Sequence, residues 1–258
     1  MATKAKTVAP KAAPAEAKPS VPAVRKATGT SVVSIQDAIK AQVAELGGRI
    51  APASGNKIQC TQDKKFVLPD GTKTDGPLEL VIIDFAATNN FYDRPFNKDA
   101  IVPPACYAIS FNPKVLVPYA NSPVIQSKDC QSCPNNEWDT GVNGKGKACS
   151  NGRLLAVVPP DADADTPIWL LQASATAIKG FDSYVGTVAR TMSTIPVGVV
   201  TTVSFSDAAY PVLQFSDPQP NPNVADHFAR QAEAKELLIA ERDVSGYVPL
   251  QPKGKARR

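Results

Sequence analysis

Cys130-Gln131-Ser132-Cys133 sets two thiols two residues apart, and Cys149 follows inside Gly144-Lys145-Gly146-Lys147-Ala148-Cys149. This spacing suits metal ligation. One tight turn across a C-x2-C knuckle aims both sulfurs at a single tetrahedral Zn²⁺, at about 2.3 Å each. The glycines before Cys149 let a second turn bring in a third sulfur, and Pro134 stiffens the exit from the knuckle. Cys106, Cys60 and His227 are open as the fourth ligand. Cys106 leads, because Pro103-Pro104-Ala105-Cys106 precedes a strand just before the irregular segment. The expected set is Cys106, Cys130, Cys133 and Cys149 around one structural zinc. Metal would order a stretch with too little apolar material to hold its own shape. The competing reading is a set of ordinary reduced cysteines, and Cys60 by itself fits a small buried hydrophobe.

A second kind of chemistry lies in aromatic and basic residues placed together. Phe91, Tyr92, Arg94, Phe96 and Lys98 fall within ten residues that read as a loop after the strongest strand. Bases stack on aromatic faces for roughly 1–3 kcal/mol each while cations track phosphates. The alternative is that Phe91 and Phe96 plug the end of a barrel. Trp138, Lys145, Lys147 and Arg153 make a second candidate surface around the cysteine segment. Trp169 lies in an apolar strand and reads as core.

Catalytic patterns are missing from the sequence. His227 is the only histidine, so Ser/His/Asp and Cys/His relays have no base. There is no G-x-x-x-x-G-K-[ST] loop, and Gly144–Lys147 does not follow a strand. The deaminase H-x-E pattern is absent. Four cysteines would close the zinc shell, and Glu137 and Asp139 read as solvated, so no enzymatic activity is expected.

These residues need a scaffold, and the sequence gives it a β period. Strands are expected at 57–60, 65–68, 78–85, 107–111, 154–158, 168–171, 197–205 and 212–215. The run 78–85 is apolar enough for a central strand covered on both faces. The last two strands form a hairpin across Asp207-Ala208-Ala209. Helices are expected at 34–46, opened by Ser34 and ended by Gly47-Gly48, at 176–191 with Phe181, Val185 and Val188 buried, and at 224–243. Residues 112–150 lose regular period. The organisation reads as a disordered basic tail over 1–30, a mainly β (α+β) domain over 31–220 with its zinc segment near 104–150, and a C-terminal helix with a basic end over 221–258.

The net charge of +4 comes from the two ends. Residues 1–30 and 253–258 hold ten of the 28 basic residues and one of the 24 acids, which leaves the middle at −5. No apolar run reaches the roughly 20 residues of a bilayer span. No apolar stretch follows the N-terminal lysines, so no secretory signal is read and the cysteines are expected as thiols in a cytoplasm.

The run Pro103-Pro104-x-Cys106, Cys130-x2-Cys133-Pro134-x-Asn136-x-Trp138 and Gly144-Lys145-Gly146-Lys147-x-Cys149 resembles a pattern in bacteriophage proteins. Together with the strand order, it is similar to the zinc-containing single-stranded DNA-binding proteins of tailed phages, over about residues 57–217. The resemblance implies an OB-like β-barrel whose metal segment supports a binding cleft. It implies single-stranded DNA as ligand, replication or recombination proteins as partners, and the host cytoplasm as location. It assigns the metal to Cys106, Cys130, Cys133 and Cys149, and the cleft to Phe91, Tyr92, Arg94 and Trp138. This chain departs from the family in two ways: it has four cysteines where the family has a ligand set with a histidine, and it has a basic C-terminal end where the family has an acidic one.

Overall fold

The computed structural model describes Gln42, residues 55–95, Asn97 and residues 100–250. Of the features expected from sequence, the 1–30 tail, the basic end at 253–258, Phe96 and Lys98 lie outside the described residues, as does the 34–46 helix apart from Gln42, which is helical. Contacts divide the chain into residues 1–51 and 52–258, and the fold below belongs to the second unit.

That unit is mainly β. Nine strands form one mixed, curled half-barrel sheet: β1 (Lys57–Cys60), β2 (Phe66–Val67), β3 (Lys73–Thr74), β4 (Leu78–Phe91), β5 (Cys106–Ser110), β6 (Cys149–Val158), β7 (Trp169–Ser174), β8 (Val199–Phe205) and β9 (Leu213–Pro220). The order is β3-β2-β1-β7-β6-β4-β8-β9, with β5 also on β4. Among the described strands only the β1–β7 pair is parallel. The path runs open from β3 to β9, so the sheet curls without closing among the described residues.

The long strand β4 organises everything else. One of its edges pairs with β6 from Val81 to Phe91. Its other edge is shared, with β8 on Leu78–Leu80 and β5 on Ala87–Phe91. Alternate residues on β4 and β6 feed two cores, as a strand covered on both faces must. Val81, Ile83, Leu154, Ala156 and Val158 enter one core with Tyr107, Ala234 and Leu238. Leu80, Ile82, Leu155 and Val157 enter the other with Phe66, Leu171 and Phe181. A bulge between Ile82 and Asp84 re-phases β4, since Ile82 faces Val157 while Asp84 faces Ala156.

Three helices cover the faces. A 3-10 turn at Ala175–Ala177 leads into α1 (Ile178–Met192), which buries Phe181, Tyr184 and Val188 on one stripe. Phe181 meets Phe85 and Phe215 edge-on, each at 4.9 Å. Tyr184 rather than Val185 joins the fully buried side, and its hydroxyl bonds Thr201 Oγ1 at 2.8 Å. The expected C-terminal helix is two helices, α2 (Val224–Ala229) and α3 (Gln231–Ile239), broken at Arg230. Buried His227 explains the break. Its Nε2 bonds the Ala162 carbonyl at 3.1 Å and its Nδ1 accepts from Asn221 Nδ2 at 3.0 Å, which pins α2 down before α3 turns onto the sheet. Among the described residues no helix is long and apolar enough to cross a membrane.

Candidate functional site

The expectation of an aromatic loop at 89–98 needs correcting. Asn89, Asn90 and Phe91 are the last residues of β4, because β5 and β6 both extend far enough to pair with them. Phe91 stands in register with Cys106 on one side and Cys149 on the other. Residues opposite one another in antiparallel strands share a face. The strand pairing therefore sets the two thiols on either side of Phe91.

The knuckle is shaped by its own short bonds. Asp129 accepts from the Ser132 N–H and the Ser132 hydroxyl, both at 2.7 Å, and these bonds turn the chain across Cys130–Cys133. The same bonds, the backbone one first, hold the Asp129 carboxyl below the usual carboxylate range. Cys130 N–H donates to Leu116 O at 3.0 Å, and Asn136 Nδ2 donates to Cys130 O at 2.6 Å. Further along, Gly144 and Gly146 take φ of 67° and 66°, the left-handed region a side chain disfavours, to turn the chain into β6 at Cys149. The segment is tied to β5 and the residue before it through Tyr119 N–H to Tyr107 O and Val124 N–H to Ala105 O. It is tied to the sheet floor through Asn151, whose amide donates to both Asn89 and Asn136.

The result is one small enclosed cavity lined by Cys106, Cys130, Cys133 and Cys149, with Phe91 and Asn89. All four cysteines are buried and unpaired by disulfide. Burial first, and then the charge of the neighbouring thiolates, pushes the Cys130 thiol up to about 11 and the Cys149 thiol up to about 12. Cys106 is raised by the same burial. Buried thiols gathered in this way are the donor type that zinc takes up as thiolates. Even so, no three Cys, His, Asp or Glu side chains among the described residues stand close enough to hold a metal ion as they are. The register gives a reason. With β4 between them, the Cys106 and Cys149 backbones lie about 10 Å apart, near the outer limit two Zn–S bonds can bridge. Of the alternative ligands, Cys60 packs against the second core and His227 is committed to Asn221 and Ala162.

Next to the thiols lies a cleft of ≈ 920 Å³. Cys130, Cys149, Asn136, Trp138 and Lys147 line its cysteine-segment wall, Ala87 and Asn89 of β4 line it from the sheet, and Thr176 of the 3-10 turn, with Lys179 and Asp182 of α1, lines it from the other side. Trp138 is 74% exposed, and the Lys147 ammonium sits 5.8 Å from its ring centroid. Arg153 reaches the cleft from β6, where Asp182 holds it at 2.8 and 3.1 Å. Lys145, expected beside Lys147, is exposed and does not line the cleft.

The two aromatic–basic groups expected from sequence are therefore separated. Trp138, Lys147 and Arg153 share the cleft. Tyr92 lines a different cavity. Arg94 is held by Asp93 and by the Val248 carbonyl, so its guanidinium is already engaged. Lys179 was missed, and the bonds that join the Asn89, Asn136 and Asn151 amides were not foreseen, because their partners lie 62 and 15 residues apart in sequence. An Asn-Asn pair closing an apolar strand was the available signal for the amides. No family model, curated protein or solved structure matches this chain.

Proposed function

We propose that this protein binds single-stranded nucleic acid, without catalysis, in the cleft between the cysteine segment and α1. The observation that carries this reading is Trp138. A large aromatic face left 74% open beside a cation is costly in a soluble surface and useful as a stacking platform. Lys147 and Lys179 supply positive charge along the same cleft. In this proposal one Zn²⁺ on Cys106, Cys130, Cys133 and Cys149 fixes the wall that carries Trp138. The donor set is all sulfur, and Asp129 is tied into its own turn. The family resemblance makes the ligand DNA, the setting phage replication or recombination in the host cytoplasm, and the curled sheet the counterpart of an OB-like barrel.

The test is a fluorescence anisotropy titration of labelled oligo-dT at two salt concentrations. The expected result is salt-dependent binding with quenching of Trp fluorescence, weakened about tenfold or more by Trp138→Ala, in line with roughly 1–3 kcal/mol per stacked base. An affinity untouched by Trp138→Ala refutes the cleft.

A second reading has its own observation. Val115, Val117, Ile125 and Val142 are more than half exposed on the cysteine segment. Those side chains favour a protein-binding accessory factor whose zinc only holds a loop. Absence of oligo-dT binding together with retained zinc selects this reading.

A further inference from the structure

After α3 the chain runs back across the open end of β4 and β5. Ile239 O accepts from the Tyr119 hydroxyl at 2.6 Å, and Asn121 Nδ2 donates to Glu241 and to Arg242 O, each at 3.3 Å. This strap carries Arg242 into a cavity of ≈ 650 Å³. There its guanidinium lies 5.4 Å from the Tyr107 ring centroid, and Nη1 donates to Asn90 Oδ1 at 2.5 Å. Lys57 enters the same cavity from β1.

Neither cation has a carboxylate partner among the described residues. Glu241 and Asp243 of the strap line the cavity too, but each carboxylate is bonded to a neighbour and not to either cation. Glu241 accepts from Asn121, and Asp243 accepts from the Ser245 N–H and hydroxyl at 2.9 and 2.6 Å. The cations also feel each other: burial first, then the nearby Arg242 charge, holds Lys57 below the usual lysine range. Two positive groups that line one cavity, neither in an ion pair, can hold an oxyanion through charge-assisted hydrogen bonds. The remaining walls are mostly apolar, including Leu154, Leu170 and Leu237, and Ile101 stands 81% exposed among the residues that line the cavity.

We propose that this cavity binds a small amphiphilic oxyanion, with its carboxylate or phosphate head between Lys57 and Arg242 and its apolar body against Leu154 and Leu170. The volume suits a ligand of drug size, since such sites run about 300–1,000 Å³. Tyr92 lines the same cavity, so this role takes up an aromatic that the nucleic-acid cleft leaves out.

Isothermal titration calorimetry of the full chain with decanoate, decyl phosphate and decylammonium tests the site. One or both anions should bind, with decylammonium at least about tenfold weaker. Lys57→Met should cut anion affinity about tenfold, equivalent to about 1.4 kcal/mol, with an unchanged melting temperature. Arg242→Met should act the same way, but Lys57 decides the matter because it lies outside the strap. A preference for decanoate or for decyl phosphate identifies the head group. Lys147→Met should alter oligo-dT binding and leave decanoate binding alone, so this site and the cleft fail separately. Equal binding of decylammonium, no binding of either anion, or anion affinity unchanged by Lys57→Met overturns the proposal.

Discussion

Asp182→Asn should make nucleic-acid binding steeper in salt. Three cations line the cleft: Lys147, Arg153 and Lys179. Arg153 is neutralised by a two-pronged contact with Asp182, whereas Lys147 and Lys179 form no ion pair among the described residues. The cleft therefore offers about two free charges. Each phosphate neutralised on a single strand contributes about −0.7 to the slope of log K against log salt, so the cleft supplies about −1.4. Asp182→Asn keeps the shape of the side chain and releases Arg153 as a third charge, which steepens the slope by about 0.7. Across a fourfold rise in salt, the variant should lose about 2.6-fold more affinity than the parent. The charged tails are common to both proteins and cancel in this difference. The fold should survive, since Asp182 is 46% exposed and such ion pairs are worth about 1 kcal/mol or less. The assay is the oligo-dT anisotropy titration at four or more salt concentrations. An unchanged or shallower slope would show that Arg153 does not face the strand.

Purified protein should carry about one zinc per chain by atomic absorption; Cys130→Ser and Cys106→Ser should lose it while Cys60→Ser keeps it. Full occupancy in Cys106→Ser would break the four-cysteine assignment. Chelation should lower the melting temperature and weaken oligo-dT binding together, because Cys130 and Cys149 belong to both the thiol cavity and the cleft. His227→Ala should cost about 3 kcal/mol in urea unfolding, from two buried hydrogen bonds at about 1 kcal/mol each plus the cavity left behind; a loss under about 1 kcal/mol would mean that α2 is held by something else. Acid should loosen the C-terminal strap. The hydrogen bond from Arg94 leads the causes that hold Asp93 below the usual carboxylate range, and Tyr247 donates to the same carboxylate at 2.6 Å. A carboxyl depressed in the folded state stabilises above its ordinary range and loses that contribution as pH falls through its folded value. Amide exchange over residues 243–248 should therefore rise as pH falls below the ordinary carboxylate range, and Asp93→Asn should show the loosening already at neutral pH.

The sequence alone determined what local chemistry controls. The apolar run of β4 demanded cover on both faces, and it received two cores. The Phe181 and Val188 spacing placed α1 within two residues of its observed start and one of its end. The C-x2-C knuckle with glycines ahead of Cys149 marked the segment that lines the thiol cavity. The tertiary structure decided what depends on distant partners. Pairing with β5 and β6 carried β4 on through Phe91, because a backbone with both edges bonded stays a strand whatever its turn signals. His227 broke the last helix by reaching Ala162, 65 residues away. Curling the sheet brought Lys179 of α1 opposite Trp138 and Lys147, and the strap brought Arg242 to Lys57. Spacing along the chain holds no record of such meetings, since they depend on which strands become neighbours.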